Sequence, residues 1–270
     1  MPQRPLEAEL RIPASVSNLG PGFDALSVAV QLYLRVRIVE WLPESPGLFE
    51  AAFVEAPPAG KNRIDAAFRH AAARAGGARP AGLRVAVSSD IPPGAGLGSS
   101  GAATIAGLRL YELATAPLPQ ERLLAMACEM EGHPDNASAS LLGGLAVSCV
   151  HDDGRVTART GRWPAEVRFV VATPDTGLET TRARSILAET IPLKDAVFNL
   201  QRALLLVRAL EAGSYGDLRE AMRDRWHQRT RASLVPGLDA ALALDDCEIL
   251  GVCRSGAGSS IVALATGDAC

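Results

Sequence analysis

A chain of 270 residues with a formal net charge of −3, 48% hydrophobic and 21% charged, is long enough for one large or two medium globular domains and is too apolar to be disordered. The charge leaves no basic footprint, so no nucleic-acid partner is expected, and Lys61 and Lys194 are the lysines among mostly arginine cations. The opening MPQRPLEAELRIP has no apolar run ahead of a cleavage site, and no segment nears the length that spans a bilayer, so a cytoplasmic protein with no membrane partner is expected.

Alternating apolar residues in AELRIPA and LSVAVQLYLRVRIVEW predict sheet, the second stretch serving as two strands or one bent strand. Proline and glycine break up SPGLFEAAFVEAPPAGKN. RIDAAFRHAAARAG then places Ile64, Phe68 and Ala71 or Ala72 on one helical face before a Gly-Gly stop. GLRVAVSSD alternates again and runs into IPPGAGLGSSG, after which AATIAGLRLYELA and PQERLLAMACEMEG are helical by spacing. A turn at GHPDN precedes the short, small-residue segment ASASLLGG. LAVSCV then reads as a strand, and HDDGRV as a hairpin turn.

EVRFVVATP predicts a buried strand, and ETTRARSILAET, DAVFNLQRALLLVRALEAG and DLREAMRDRW predict helices. CEILGVCRSGAGSSIVALA closes the chain with two apolar runs around a glycine-rich turn. Strands and helices mix without a repeated βαβ unit, which predicts an α+β protein of two lobes, 1–160 and 161–270. Cys128, Cys149, Cys247, Cys253 and Cys270 lack paired metal-ligand spacing and are expected as buried free thiols.

The segment Pro92, Pro93, Gly94, Ala95, Gly96, Leu97, Gly98, Ser99, Ser100, Gly101 places glycines where a helix begins. Helix N-termini expose unpaired N–H groups and partial positive charge, and glycines let several amides converge on an oxyanion. Ser99 and Ser100 can cap the helix or offer hydroxyls to a phosphate or its magnesium. The loop lacks the Gly-Lys-Ser/Thr of a Walker A sequence and the spacing of a dinucleotide fingerprint. A glycine turn with a serine cap fits it equally well.

PPGAGLGSSGAA resembles the phosphate-binding loop of the GHMP kinases. PASVSNLGPGFDALSVAV, residues 13–30, resembles the N-terminal signature of their homoserine kinase branch, and GVCRSGAGSSIVAL, residues 251–264, the family's third motif. EGHPDNASASLLGG, LETTRARSIL and HQRTRASLVPGL resemble further segments of that branch in the expected order. The resemblance implies an N-terminal lobe like ribosomal protein S5 domain 2 and a ferredoxin-like C-terminal lobe, shortened at its end. It also implies ATP and Mg2+ as cofactors, a homodimer, and phosphorylation of homoserine to O-phosphohomoserine for threonine biosynthesis. Another small hydroxy acid or amino alcohol as acceptor, or a catalytically silent binding protein, are the alternatives.

By the same resemblance the nucleotide is held by residues 92–101 together with Asn62, Gly256 and Gly258, and magnesium by Ser99 and Glu129, with Glu131 a rival by proximity. Arg184 and Arg231 match the contacts to the substrate carboxylate, a role suited to the guanidinium fork. Asp24 and Asn18 match the contacts to its ammonium, and His133, Asn136 and Thr180 complete the pocket. Asp24, Asn18, Arg184 and His133 are the residues placed nearest the chemistry, with no single essential base expected. Asp24 also fits a turn or cap, Asn18 an Asx-turn, His133 a loop histidine and Asn62 a helix cap. Gly101, Ser259 and Thr230 stand where the family usually has alanine, proline and tyrosine.

Overall fold

The alternation that opens the chain becomes β1 (Glu9–Ser17) and β2 (Leu26–Leu42), antiparallel neighbours whose register slips between Pro13 and Ala14. Proline gives the ladder no N–H, and a bulge is where a strand tolerates it. The computed structural model describes residues 8–55, 60–76, 79–174, 178 and 180–267. β2 is one strand, not two, because one of its edges serves two partners: β4 (Gly82–Ser89) along Leu34–Leu42 and β5 (Leu145–Val150) along Leu26–Val28.

β3 (Phe49–Phe53) runs parallel to β4 inside a stretch whose prolines and glycines had marked it as irregular. β6 (Val156–Gly161) pairs with β5 across the expected hairpin, giving the order β3-β4-β2-β5-β6 with β1 on the free edge of β2.

The helices of this half are α1 (Arg63–Arg74), α2 (Ser99–Ala114), α3 (Gln120–Glu131) and α4 (Asp135–Leu142). α1 buries Ile64, Ala67, Phe68 and Ala71, the face that its spacing predicts. α2 is buried on most of its circumference, from Ala102 and Ile105 to Leu108 and Tyr111, as befits an apolar helix between a sheet and its neighbours. Gly107 lets α1 come close, since a Cβ there would fall on the carbonyl of Ile64. α4 takes up ASASLLGG, whose small residues had not marked it as a helix. Ala137, Ser138, Ala139 and Ser140 are buried, and small side chains are what allow a helix to lie this tightly on β1.

The second sheet is antiparallel, in the order β7 (Val167–Ala172), β9 (Ile261–Thr266), β8 (Ile249–Arg254). β7 is not the buried strand its apolar run predicts. Among the described residues it pairs on one side alone, and Arg168, Val170, Val171 and Ala172 are exposed. Around the sheet lie α5 (Thr180–Ser185), α6 (Leu193–Ala212), α7 (Leu218–Ala221), α8 (Gln228–Arg231) and α9 (Leu238–Leu242). DLREAMRDRW, predicted as one helix, is a 3-10 turn at Tyr215–Asp217 followed by the short α7. One core joins the halves: Val16 and Leu19 cluster with Leu218, Met222, Cys253 and Leu264.

Of the cysteines, Cys253 is buried and its thiol is pushed up to about 12 by that burial. Cys149 and Cys247 are exposed, against expectation, Cys128 is half-buried, and Cys270 lies outside the described residues. Among the described residues no helix is long and apolar enough to cross a membrane.

Candidate active site

Gly94, Gly96 and Gly98 all have φ between 68° and 82°, and the intervening Ala95 and Leu97 do not share that hand. Alternation of hand along the backbone turns successive N–H groups to one side, the geometry of an anion nest. The loop's carbonyls are occupied elsewhere. Gly94 O accepts from Leu178 N, Ala95 O from Ser260 N, Gly96 O from Ser255 Oγ and Leu97 O from Ser15 N, at 2.7–3.1 Å. With its acceptors fixed to the framework, the loop presents the donors at the start of α2, where Ala102 N–H is the first to bond back, to Gly98 O. The first turn of α2 holds no acidic residue to compete for them.

Two adjoining cavities meet at Gly94, Ser99 and Ser100. The larger, about 610 Å³, is lined by Asn62, Pro92 and Pro93 together with apolar Leu34, Phe53 and Ile64. Asn62 also caps α1, its Oδ1 accepting from Ile64 N and Asp65 N, so the cap reading holds while the residue stands on the cavity wall. The smaller cavity, about 350 Å³, is lined by Asn18, Asp24, His133, Asn136, Arg184 and Arg231, with Gly96, Gly98, Gly101, Gly256 and Gly258. Ala95 and Leu97, expected among the nucleotide contacts, put their side chains into the core instead. Only their backbone serves the loop.

The loop from Asn18 to Asp24 is strained. Asn18, Leu19 and Asp24 have φ of 71°, 47° and 56°, a region that leucine seldom enters. Complete burial of Leu19 and bonds within the loop, Asp24 N to Asn18 Oδ1 at 3.1 Å and Gly22 N to Asn18 O at 2.9 Å, hold it there. The result aims the Asp24 carboxylate at Arg184, whose Nη2 and Nη1 donate to it at 2.5 and 3.0 Å. Arg184 and Arg231 both lie over the Phe23 ring, at 5.4 and 5.3 Å. Arg231 is fixed by donating to Ala183 O at 2.7 Å, and burial with Arg184 nearby pulls it down to about 10.

His133 donates or accepts through Nδ1 at 2.5 Å from Asp135 Oδ1. The same carboxylate oxygen accepts the Asn136 N–H at 2.8 Å, and Asn136 Oδ1 accepts from Ser15 Oγ. Asp135 is thus the node that orients two cavity residues at once; sequence reasoning took its neighbours in HPDN and passed over it. Burial lowers the His133 imidazole, but the hydrogen bond and charge of Asp135 outweigh it and leave the group raised. Phe23, the ring beneath both arginines, was missed as well. Thr180 opens α5, and its side chain lies outside the described part of the structure.

The two glutamates of CEMEG have different surroundings. Two positions along a helix are roughly 200° of rotation, so Glu129 and Glu131 face opposite sides. Glu129 pairs with Arg74 and with His70 of α1 and does not line either cavity. Glu131 lines the smaller one, and its Oε1 accepts from Ser100 Oγ at 3.0 Å, Thr104 Oγ1 at 2.6 Å and Arg63 Nη2 at 2.7 Å.

The profile described as GHMP kinases N terminal domain matches residues 62–144, and that described as GHMP kinases C terminal matches residues 206–269. The chain is 38% identical over 259 residues to the homoserine kinase of Caldicellulosiruptor bescii, covering 94% of this chain and 83% of the relative. With the homoserine kinase of Thermus thermophilus the identity is 40% over 259 residues, covering 95% and 86%. A crystal structure of homoserine kinase from Cytophaga hutchinsonii superposes with a TM-score of 0.84 at 26% identity, over 99% of this chain and 88% of that one. The α+β architecture, the glycine nest at the start of α2 and these matches agree: the chain belongs to the GHMP kinases, in their homoserine kinase family.

Proposed function

We propose that this chain transfers the γ-phosphoryl group of ATP to the side-chain hydroxyl of homoserine, giving O-phosphohomoserine and ADP for threonine biosynthesis. The observation that carries the reading is the pairing of Asp24 with Arg184, beside Arg231, in a cavity bounded by the glycine nest. A zwitterionic amino acid needs a carboxylate for one end and guanidinium forks for the other. Asp24 and Asn18 take the ammonium, Arg184 and Arg231 take the carboxylate, and His133, Asn136 and Thr180 complete the pocket. The nest with Ser99, Ser100, Gly256 and Gly258 takes the phosphates, and the larger cavity beside Asn62 and Pro92–Pro93 takes the nucleoside.

Phosphoryl transfer is chiefly positioning and charge stabilisation. The acceptor oxygen forms a bond to Pγ, the bond from Pγ to the bridging oxygen breaks, and ADP leaves with the electron pair. The proton of the acceptor hydroxyl passes to a phosphoryl oxygen, so no essential base is assigned. The hydroxyls of Ser99 and Ser100 and the carboxylate of Glu131 are the hard oxygen donors that suit Mg2+, and these residues, not Glu129, are proposed to hold it. The bound ion would neutralise phosphate charge.

ADP release measured with homoserine, serine, shikimate-like and mevalonate-like alcohols tests the reading. Turnover confined to homoserine is expected; turnover with another alcohol alone, or none from folded protein, overturns it. A cytoplasmic homodimer belongs to the same proposal, and light scattering checks the dimer.

A further inference from the structure

The turn that carries Gly256 and Gly258 is built on a buried cation. Arg254 ends β8 with 0% of its surface exposed. Its Nε donates to Gly258 O at 2.8 Å, its Nη2 donates to Ala257 O, and its Nη1 has no partner among the described residues. No described carboxylate pairs with it. Burial and the like charge of Arg231 pull the guanidinium down to about 9, which leaves it protonated at neutral pH. A buried cation without a counter-charge is costly, and a neutral donor would pin the turn at less cost. The surplus is the charge.

Its location gives that charge a use. In a peptide unit the C=O and the following N–H point opposite ways, so drawing Ala257 O and Gly258 O towards Arg254 turns the N–H groups of Gly258 and Ser259 away from it. The same turn packs directly on the nest: a Cβ on Gly258 would fall on Gly96 N and the carbonyl carbon of Ala95. Ser255 Oγ and Ser260 N then tie down Gly96 O and Ala95 O. Unmet polar groups gather at the same turn, with Ser17 Oγ beneath Gly256 and Ser259 Oγ both buried without partners among the described residues.

We infer that Arg254 is a positioning residue for phosphoryl transfer, locking the 255–260 turn against the phosphate nest and holding behind both a positive charge whose counter-charge arrives with the nucleotide's phosphates. The inference rests on reading the smaller cavity as the phosphate site. It also supplies, from outside the glycine loop, cationic charge that the loop itself lacks.

The test compares Arg254→Met, which keeps the reach and drops the charge, with Arg254→Lys, which keeps the charge. Binding of MgADP and of adenosine is measured by calorimetry, alongside KM for homoserine and the melting temperature. In Arg254→Met the Kd for ADP is expected to rise at least about tenfold, about 1.4 kcal/mol. Adenosine affinity and the homoserine KM are expected to stay within about twofold; the melting temperature serves as the control, because losing the donors to Ala257 O and Gly258 O and losing a buried unpaired charge act on it in opposite directions. Arg254→Lys is expected to keep ADP affinity within about threefold of the parent.

Unchanged ADP affinity in Arg254→Met overturns the inference. So does destabilisation with ADP, adenosine and homoserine weakened in parallel, the signature of a staple alone. If Arg254→Met does not fold, Arg254→Lys decides: a tenfold loss of ADP affinity with the charge retained also overturns it. Parent protein that binds no ADP overturns the phosphate-site reading itself, before any variant is compared.

Discussion

Asp24→Asn separates the binding role of Asp24 from any role in stability. Asparagine tolerates the left-handed φ of 56° at this position, and the backbone N–H still donates to Asn18 Oδ1, so the loop keeps its shape. Without substrate, the change breaks an ion pair whose side chains are 34% and 30% exposed. Such a pair contributes about 0–1 kcal/mol after solvent screening, a shift of about 4 °C at most for a chain of this size. With substrate, the carboxylate is proposed to meet an ammonium, and a hydrogen bond between charged groups is worth about 1.5–3 kcal/mol. That converts to a rise of about 10- to 150-fold in the homoserine KM. Steady-state kinetics with each substrate varied in turn, together with a thermal melt, should show the homoserine KM rising in this range. The ATP KM should stay within about twofold and the melting temperature within about 4 °C. An unchanged homoserine KM would refute the assignment, and so would a large fall in melting temperature with both KM values rising together.

Glu131→Gln should lower kcat by at least about a hundredfold and weaken its dependence on Mg2+ concentration, whereas Glu129→Gln, which removes a surface partner of Arg74 and His70, should leave kcat within about twofold and cost about 1 kcal/mol or less. His133 is raised in the folded chain from its ordinary 6.5, so its protonated form contributes stability that is fully present below about 6.5 and is lost as pH rises through the folded value. In Asp135→Asn burial and the charge of Arg184 are opposed by Asp24 alone, and the His133 ring titration followed by NMR should move to the acid side of the parent's; an unmoved titration would deny Asp135 its role. Gly258→Ala places a Cβ on the backbone of Ala95 and Gly96, which parts the turn from the nest. The Kd for ADP should rise by at least about tenfold while the homoserine KM changes less, and equal affinity for ADP would show that the contact is slack.

Much of this was legible because it depends on local pattern. The buried face of α1, the hairpin of β5 and β6, and the helix after the glycine loop follow from spacing and turn chemistry in a few consecutive residues. What the sequence hid depends on distant partners. β3 exists because β4 offers it an edge, and five residues inside a Pro- and Gly-rich stretch give little alternation to detect. β7 has the apolar composition of a central strand but among the described residues pairs with β9 alone, a fact of topology. That Glu129 and Glu131 face opposite ways was decidable in principle from the helical rotation along α3, but Arg63, Ser100 and Thr104 gather round Glu131 only once three elements are packed together.

The same distinction explains how the proposed phosphate site can be built with no lysine in its loop. Charge that acts through the fold need not be near in sequence. The nest contributes N–H groups because Ser15, Leu178, Ser255 and Ser260 occupy its carbonyls, and each of those four donors lies more than 80 residues along the chain from the carbonyl it meets. Arg231 and Arg254, from the far end of the sequence, are charges buried near the cavity and lowered by that burial, the first proposed for the substrate carboxylate and the second for the phosphates. Removing charges from water strengthens their field on whatever enters the cavity but destabilises the empty protein. A site built this way is therefore less stable without its anion than with it, so ADP should bind more tightly than adenosine and, at equal ligand concentration, raise the melting temperature by more; equal shifts at equal concentration would place the phosphates away from these charges.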